Sequence, residues 1–366
     1  MQSAAPAGRR RLFAPGLCAC ALALTALTAG WHAASPPVLQ AQAGPLTLER
    51  VAVWPGSYAP DSLLDAGGLA AGRDGRFLLA DSGHDRVVTL DRDGRQLSAF
   101  GRRGDGPDQL RSPRDLAVDL GRDRVYVVDS GNRRVSIFRL DGSPVAQWRS
   151  GGPDFGFAPH AVAVAPGTGE VYVLSRLPWG LIDRFSPAGA WLGGWGDTGS
   201  GPGQMEYPED LALLPDGRVA VADTGNGRIQ VFSAQGLPVL GQMSLAGVRR
   251  LDHDAGAGRL YALYGSDPAG SLDRVAVFGA DGSRLPDLPA PPAGEAIAPA
   301  RGLALSGGRL AVSSGGDTGG RQGLRILDPA TGGQLAAALN RPADHPAFLA
   351  AGALDVAPDG SLLLQD

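Results

Sequence analysis

Arg124-Val-Tyr-Val-Val-Asp-Ser-Gly-Asn-Arg-Arg-Val-Ser-Ile-Phe138 is two short apolar runs divided by a polar turn. The first run, Arg124 to Asp129, is six residues of largely β-forming type, too short for a stable helix. The second, Arg134 to Phe138, alternates, which gives a strand one buried face and one half-exposed face. Another short run, Leu116-Ala-Val118, lies just upstream. A fourth, Val145-Ala-Gln-Trp148, lies downstream beyond the turn Asp141-Gly142. Asp-Gly tolerates the positive φ that tight hairpins need. The stretch therefore predicts four consecutive antiparallel strands.

The unit recurs through the chain. Its second strand reappears as Arg76–Asp81, Glu170–Ser175, Arg218–Asp223, Arg259–Tyr264, Arg309–Ser314 and Ser361–Asp366. First strands begin near Leu69, Leu116, Val162, Leu211, Leu251, Leu303 and Leu354, spaced 40–52 residues apart. A four-stranded antiparallel repeat of this length is a propeller blade. The expected fold is an all-β propeller with seven blades, six being the alternative count. Leu46–Trp54 has the pattern of an outer strand and is expected to close the last blade, since closure removes exposed strand edges.

Composition agrees. Glycine makes up 55 of 366 residues, about twice its usual ~7% share. There is no lysine. The 33 basic residues are all arginine, and only five of the 37 acidic residues are Glu. Gly, Pro and Asp are poor helix formers, while Glu and Lys are good ones. Mechanisms that need a lysine are excluded: a Walker phosphate loop, a Schiff-base aldolase, a pyridoxal-phosphate enzyme, a protein kinase. A net charge of −4 gives no nucleic-acid footprint.

The first 43 residues read differently. Arg9-Arg10-Arg11 precedes an Ala/Leu run from Leu17 to Ala29, and Ala41-Gln42-Ala43 before Gly44 has the form of a cleavage site. Residues 1–43 are expected to be a signal peptide or an uncleaved anchor, and 44–366 a single propeller domain. Cys18 and Cys20, the two cysteines, fall in the signal, so the exported chain would have no disulfide or thiolate site. The expected location is periplasmic, secreted or envelope-associated, with membrane contact only through an uncleaved N-terminus.

The phrases Ala80-Asp-Ser-Gly-His-Asp-Arg-Val87, Val128-Asp-Ser-Gly-Asn-Arg-Arg-Val135 and Ala222-Asp-Thr-Gly-Asn-Gly-Arg-Ile229 resemble the NHL repeat. So do the linkers Gly101–Leu110 and Gly196–Met205. The resemblance implies a propeller scaffold, usually of six blades, that serves binding modules and enzymes alike. In the motif the Asp is expected to accept N–H bonds in its own turn, the Gly to take a left-handed step, and an Arg to satisfy carbonyls beside it.

Propeller ligands bind where inner strands converge. The residues just before each first strand are expected to rim that mouth: Gly67-Gly68, Arg114 and Asp115, His160, Glu209 and Asp210, Arg249 and Arg250, Arg301, and Ala353. This mixed-charge ring offers one half to a cation and the other to an anion. The first expectation is a non-catalytic scaffold, monomeric and without cofactor, that docks a peptide, protein or glycan. The alternative is a lyase or lactonase-type hydrolase using zinc or calcium. Peptidyl-amidoglycolate lyases share the repeat style and a His before an inner strand, as His160 is here, and hold zinc. Lactonase-like propellers hold calcium, for which Asp115, Glu209 and Asp210 are the oxygen ligands on offer. Two further features stand out: Trp179 in Arg176–Gly180 as an exposed aromatic or inter-blade packing residue, and Pro286–Pro299 as a surface loop or contact arm.

Overall fold

The computed structural model describes residues 51–53, 63–149, 157–175, 182–265, 273–289, 300–314, 322–329, 334–340, 353–356 and 362–365, all within one compact unit, Leu48–Asp366. Residues 1–43, Trp179 and most of Pro286–Pro299 lie outside them. Among the described residues there is no α-helix, only three one-turn 3-10 segments.

Six four-stranded antiparallel sheets follow one another. Blade one is Ala66–Ala71, Phe77–Asp81, Arg86–Leu90 and Gln96–Phe100. Blade two is Pro113–Asp119, Arg124–Asp129, Arg134–Phe138 and Pro144–Trp148. Blade three is Pro159–Val164, Val171–Ser175, Ile182–Phe185 and Trp191–Trp195. Blade four is Asp210–Leu213, Val219–Asp223, Arg228–Phe232 and Met243–Ser244. Blade five is Val248–Asp254, Arg259–Gly265, Asp273–Gly279 and Arg284–Leu285. Blade six is Ala300–Ser306, Arg309–Ser314, Gln322–Leu327 and Gln334–Asn340.

The core is six separate clusters, one at each joint between blades. Strand alternation makes this so: Phe77 and Leu79 face one neighbour, Leu78 and Ala80 the other. Second strands are buried on both faces, which is why they read as continuous apolar runs. One cluster joins Leu69, Phe77 and Leu79 of blade one to Ala304, Ala311, Leu324 and Ile326 of blade six. The ring therefore closes at six, against the expected seven. The seventh unit's strands, Ala353–Val356 and Leu362–Gln365, pair with each other as a separate two-stranded sheet. Their turn chemistry matches the blades, but the place they would fill is occupied by direct contact of blades one and six.

The N-terminal strand is corrected likewise. Val51–Val53 runs parallel to Gln334–Asn340 as a fifth strand of the blade-six sheet. Blade six has four strands of its own, so the incoming segment covers its outer edge and does not complete an unfinished blade.

A recurrent contact joins the outer parts of the blades. The last residue of an outer strand packs on the last residue of the next blade's third strand. The ring centroids of Phe100 and Phe138 lie 5.1 Å apart, those of Trp148 and Phe185 5.2 Å, and those of Trp195 and Phe232 4.5 Å. The hairpin turn after each third strand holds Gly142, Gly189 or Gly236 at φ near 86–88°. A Cβ there would also sit within 2.5 Å of Phe100, Trp148 or Trp195, so glycine meets both demands. At the fourth joint Met243 lies against Gly282.

Candidate functional site

The Asp-Ser/Thr-Gly motif fixes the entrance to the inner strand in blades one, two and four. Asp81, Asp129 and Asp223 are fully buried. Their Oδ1 atoms accept the backbone N–H of Leu64, Arg111 and Glu206, in the loops that lead into the same blades, at 2.7–2.8 Å. The bond thus reaches across to the incoming loop and is not confined to the local turn. The glycine's role is corrected too. Gly131 and Gly225 are not left-handed; a Cβ on them would press on the carbonyls of Arg111 and Glu206 at 2.8 and 2.5 Å. The left-handed step falls two residues later, at Asp85, Arg133 and Gly227. The arginine does satisfy carbonyls. Arg134 donates to Asp129 at 2.6 Å and to the carbonyls of Asp105, Gly106 and Gln109 at 2.6–3.0 Å. Arg228 repeats this with Asp223, Ser200, Gly201 and Gln204. The hydroxyls of Ser82 and Thr224 reach the next blade and donate to the carbonyls of Pro113 and Val248 at 2.5 and 2.7 Å.

A β-bulge opens the first strand of every blade but the fourth. The register slips between Ala66 and Leu69, at Arg114, at His160, at Arg249 and at Arg301. A bulge re-aims a side chain. Arg114, His160, Arg249 and Arg301 line one cavity of about 560 Å³ at the mouth of the channel, with Glu209, which precedes the blade-four strand, and Gly67. Six blades thus present one residue each: Gly67, Arg114, His160, Glu209, Arg249, Arg301. Arg133 and Asp65 join them from the loops, and Arg250 from below.

The next residue in each blade forms a lower tier. Asp115 and Asp210, expected at the rim, are buried beneath it. Each ties its own blade to the following inner strand: Asp115 Oδ2 accepts Val162 N–H at 2.9 Å and Asp210 Oδ2 accepts Leu251 N–H at 2.8 Å. Asp252 does the same for Leu305. Gly68 is glycine because Asp115 Oδ1 occupies the place of a Cβ. Ala353 lies in the separate hairpin and in no blade. The rim therefore offers no half to a cation. Its two carboxylates are paired, Asp65 with Arg301 at 3.1 Å and Glu209 with both Arg114 at 3.3 Å and His160 Nε2 at 2.9 Å.

Burial sets the electrostatics. It pushes His160 down to about 4; Glu209 opposes this, and Arg114 and Arg250 add to it. The imidazole is thus neutral at physiological pH. The folded value lies below the ordinary ~6.5, so the unfolded chain takes up a proton first, and this contribution to stability is lost as pH falls from 6.5 towards 4. Ring NMR should show His160 still neutral at pH 5.5; a midpoint near 6.5 would contradict this geometry. Burial also raises Asp115, and raises Asp210 to about 8, Arg250 opposing the shift in both.

For a metal, His160 and Glu209 are two ligand atoms already bonded to each other. Asp115 and Asp210 turn an oxygen to backbone N–H groups. A catalytic zinc normally takes three protein ligands, and among the described residues no group of three His, Cys, Asp or Glu side chains is arranged to hold an ion. The zinc and calcium sets read from the sequence are therefore not assembled by these residues.

The NHL repeat family model matches residues 110–138 and 205–232. These are the linker, first, second and third strands of blades two and four, where the Asp–Asn–Arg network is complete. The chain is 44% identical over 79 residues to mouse peptidyl-glycine alpha-amidating monooxygenase, a match covering 20% of this chain and 8% of that protein. Among solved structures, a gluconolactonase from Xanthomonas campestris superposes with a TM-score of 0.54 at 20% identity, covering 70% of this chain and 84% of that one. A streptogramin B lyase gives 0.51 at 15% identity, covering 84% and 91%. The repeat match and the blade architecture agree: the chain is a six-bladed β-propeller that carries NHL repeats in blades two and four.

Proposed function

We propose that this protein is an exported binding module whose channel mouth holds an anionic group of a peptide, protein or glycan ligand. The observation that carries the reading is the charge of one cavity: Arg114, Arg133, Arg249, Arg250 and Arg301 face it against two paired carboxylates. Guanidinium groups present rigid forks of donors suited to carboxylates and phosphates. The cavity is about 560 Å³ and reaches solvent, a size for one residue or one sugar of a larger ligand.

A second reading is an acid–base enzyme at the same mouth, favoured by the neutral His160 held by Glu209. The lactonase and lyase among the structural neighbours are consistent with it, as the fold hosts both kinds of protein.

Binding to arrays of acidic, neutral and basic peptides and glycans tests the first reading. Acidic ligands should be retained selectively, and Arg249→Gln with Arg301→Gln should weaken them about 100–10,000-fold, one charge-assisted hydrogen bond each. Equal retention of neutral and acidic ligands, or retention unchanged in the double variant, would overturn it.

A further inference from the structure

Arg250 stands between two cavities. It lines the mouth, and it also lines a smaller cavity of about 170 Å³ beneath, with Asp115, Asp210 and Asp252. Its side chain is 7% exposed. Backbone carbonyls hold it in place: Nε donates to Arg301 O of blade six, and Nη1 to Glu209 O beside blade four, at 3.1 Å. Asp210 Oδ1 stands 4.0 Å from Nη1, beyond hydrogen-bond range. Asp115 and Asp210 instead spend an oxygen on Val162 and Leu251. One guanidinium and two carboxyl groups, all three residues buried, thus share the space beneath the mouth. Two buried carboxylates beside a single cation are unfavourable, and a proton on one of them relieves the imbalance.

An anion arriving from above draws on the same positive charge. It weakens the field that keeps the lower carboxyls ionised, so the two events are linked. We propose that Arg250 is the anion anchor of the mouth, and that an anion bound on its upper side is accompanied by a proton taken up by the Asp115–Asp210 pair beneath it. This rests on the anion-binding reading above and adds a coupling to it.

The other groups around Arg250 set the window. Above it are Asp65, Arg114, His160, Glu209, Arg249 and Arg301; below are Asp252 and His253. His160 is neutral across the neutral range. Burial lowers His253 as well. Burial raises Asp210 to about 8 and Asp252 to about 7. Asp252 titrates close to the proposed pair and must be separated from it.

Sulfate is a suitable probe, because its charge is constant over this range. Calorimetric titration of the full propeller with sulfate, at pH 7, 8 and 9 in two buffers of different ionisation heat, reads affinity and proton uptake together. Binding should weaken about tenfold from pH 7 to 9, the limit for one coupled proton being tenfold per pH unit. Uptake should approach one proton near pH 9. Asp210→Asn should flatten the pH dependence, Asp252→Asn should retain it, and Arg250→Gln should lose binding while melting as a folded protein. A pH-independent affinity without proton exchange, or a dependence that survives in Asp115→Asn with Asp210→Asn, would overturn the coupling and leave the anion-binding reading standing. No sulfate binding at any pH would overturn that reading itself, and this inference with it.

Discussion

Replacing Arg134 by methionine should destabilise the propeller by about 3–5 kcal/mol, the range for removing one partner of a buried ion pair. Arg134 and Asp129 both have side chains that are 0% exposed. Without the guanidinium, Asp129 keeps Asn132, Ser136 and the Arg111 N–H as partners but remains a buried charge without a cation. The carbonyls of Asp105 and Gln109 lose this donor at the same time, while that of Gly106 keeps Gln147 Nε2 and the Gln109 N–H. Urea unfolding measures the effect. Asp129→Asn on the methionine background should recover part of the loss, because it removes the stranded charge. A cost below about 1 kcal/mol would mean that the linker is held by other contacts.

Gly302→Val should cost about 3 kcal/mol, the upper part of the usual range for overpacking. A Cβ at Gly302 would lie 2.5 Å from the carbonyl of Gly67 and 2.5 Å from Ser313 Oγ. That carbonyl already accepts Ser313 Oγ at 2.7 Å, across the joint between blades six and one. Neither backbone can withdraw without opening the ring. Gly241→Ala is the control: no atom lies within 4 Å of its Cβ and its φ is ordinary, so the change should stay within ~0.5 kcal/mol. The comparison also tests the blade count. Were the C-terminal hairpin inserted between blades six and one, Gly302 would not face Gly67 and valine would be tolerated.

The repeat was legible because each blade is built from local signals: runs of five or six β-formers, and Asp-Gly turns between them. The count was not, because Leu362-Leu-Leu-Gln365 carries the same local chemistry as a blade strand, while ring closure depends on which surfaces meet in space. The rim was legible at one residue per blade. Its depth was not, since strand pleating separates Arg114 from Asp115, and Glu209 from Asp210, into different tiers. Sequence adjacency merges what the pleat parts. The glycine of the Asp-Ser/Thr-Gly motif was misread for a related reason: the carbonyl crowding it belongs to a residue about 20 positions upstream. A motif spacing alone does not reveal such a neighbour.

The inter-blade contacts described for the outer strands also bear on mechanics. Three successive joints are riveted by packed aromatic pairs with two stiff torsions per ring, but the joint between blades four and five carries the thioether of Met243. Methionine has three soft torsions and adapts to its surroundings. Under thermal stress a closed hoop yields first at its most compliant joint. Blade five, which supplies Arg249 and Arg250, hangs from that joint. Of these four joints, the one beside the blade that carries Arg249 and Arg250 is the most compliant.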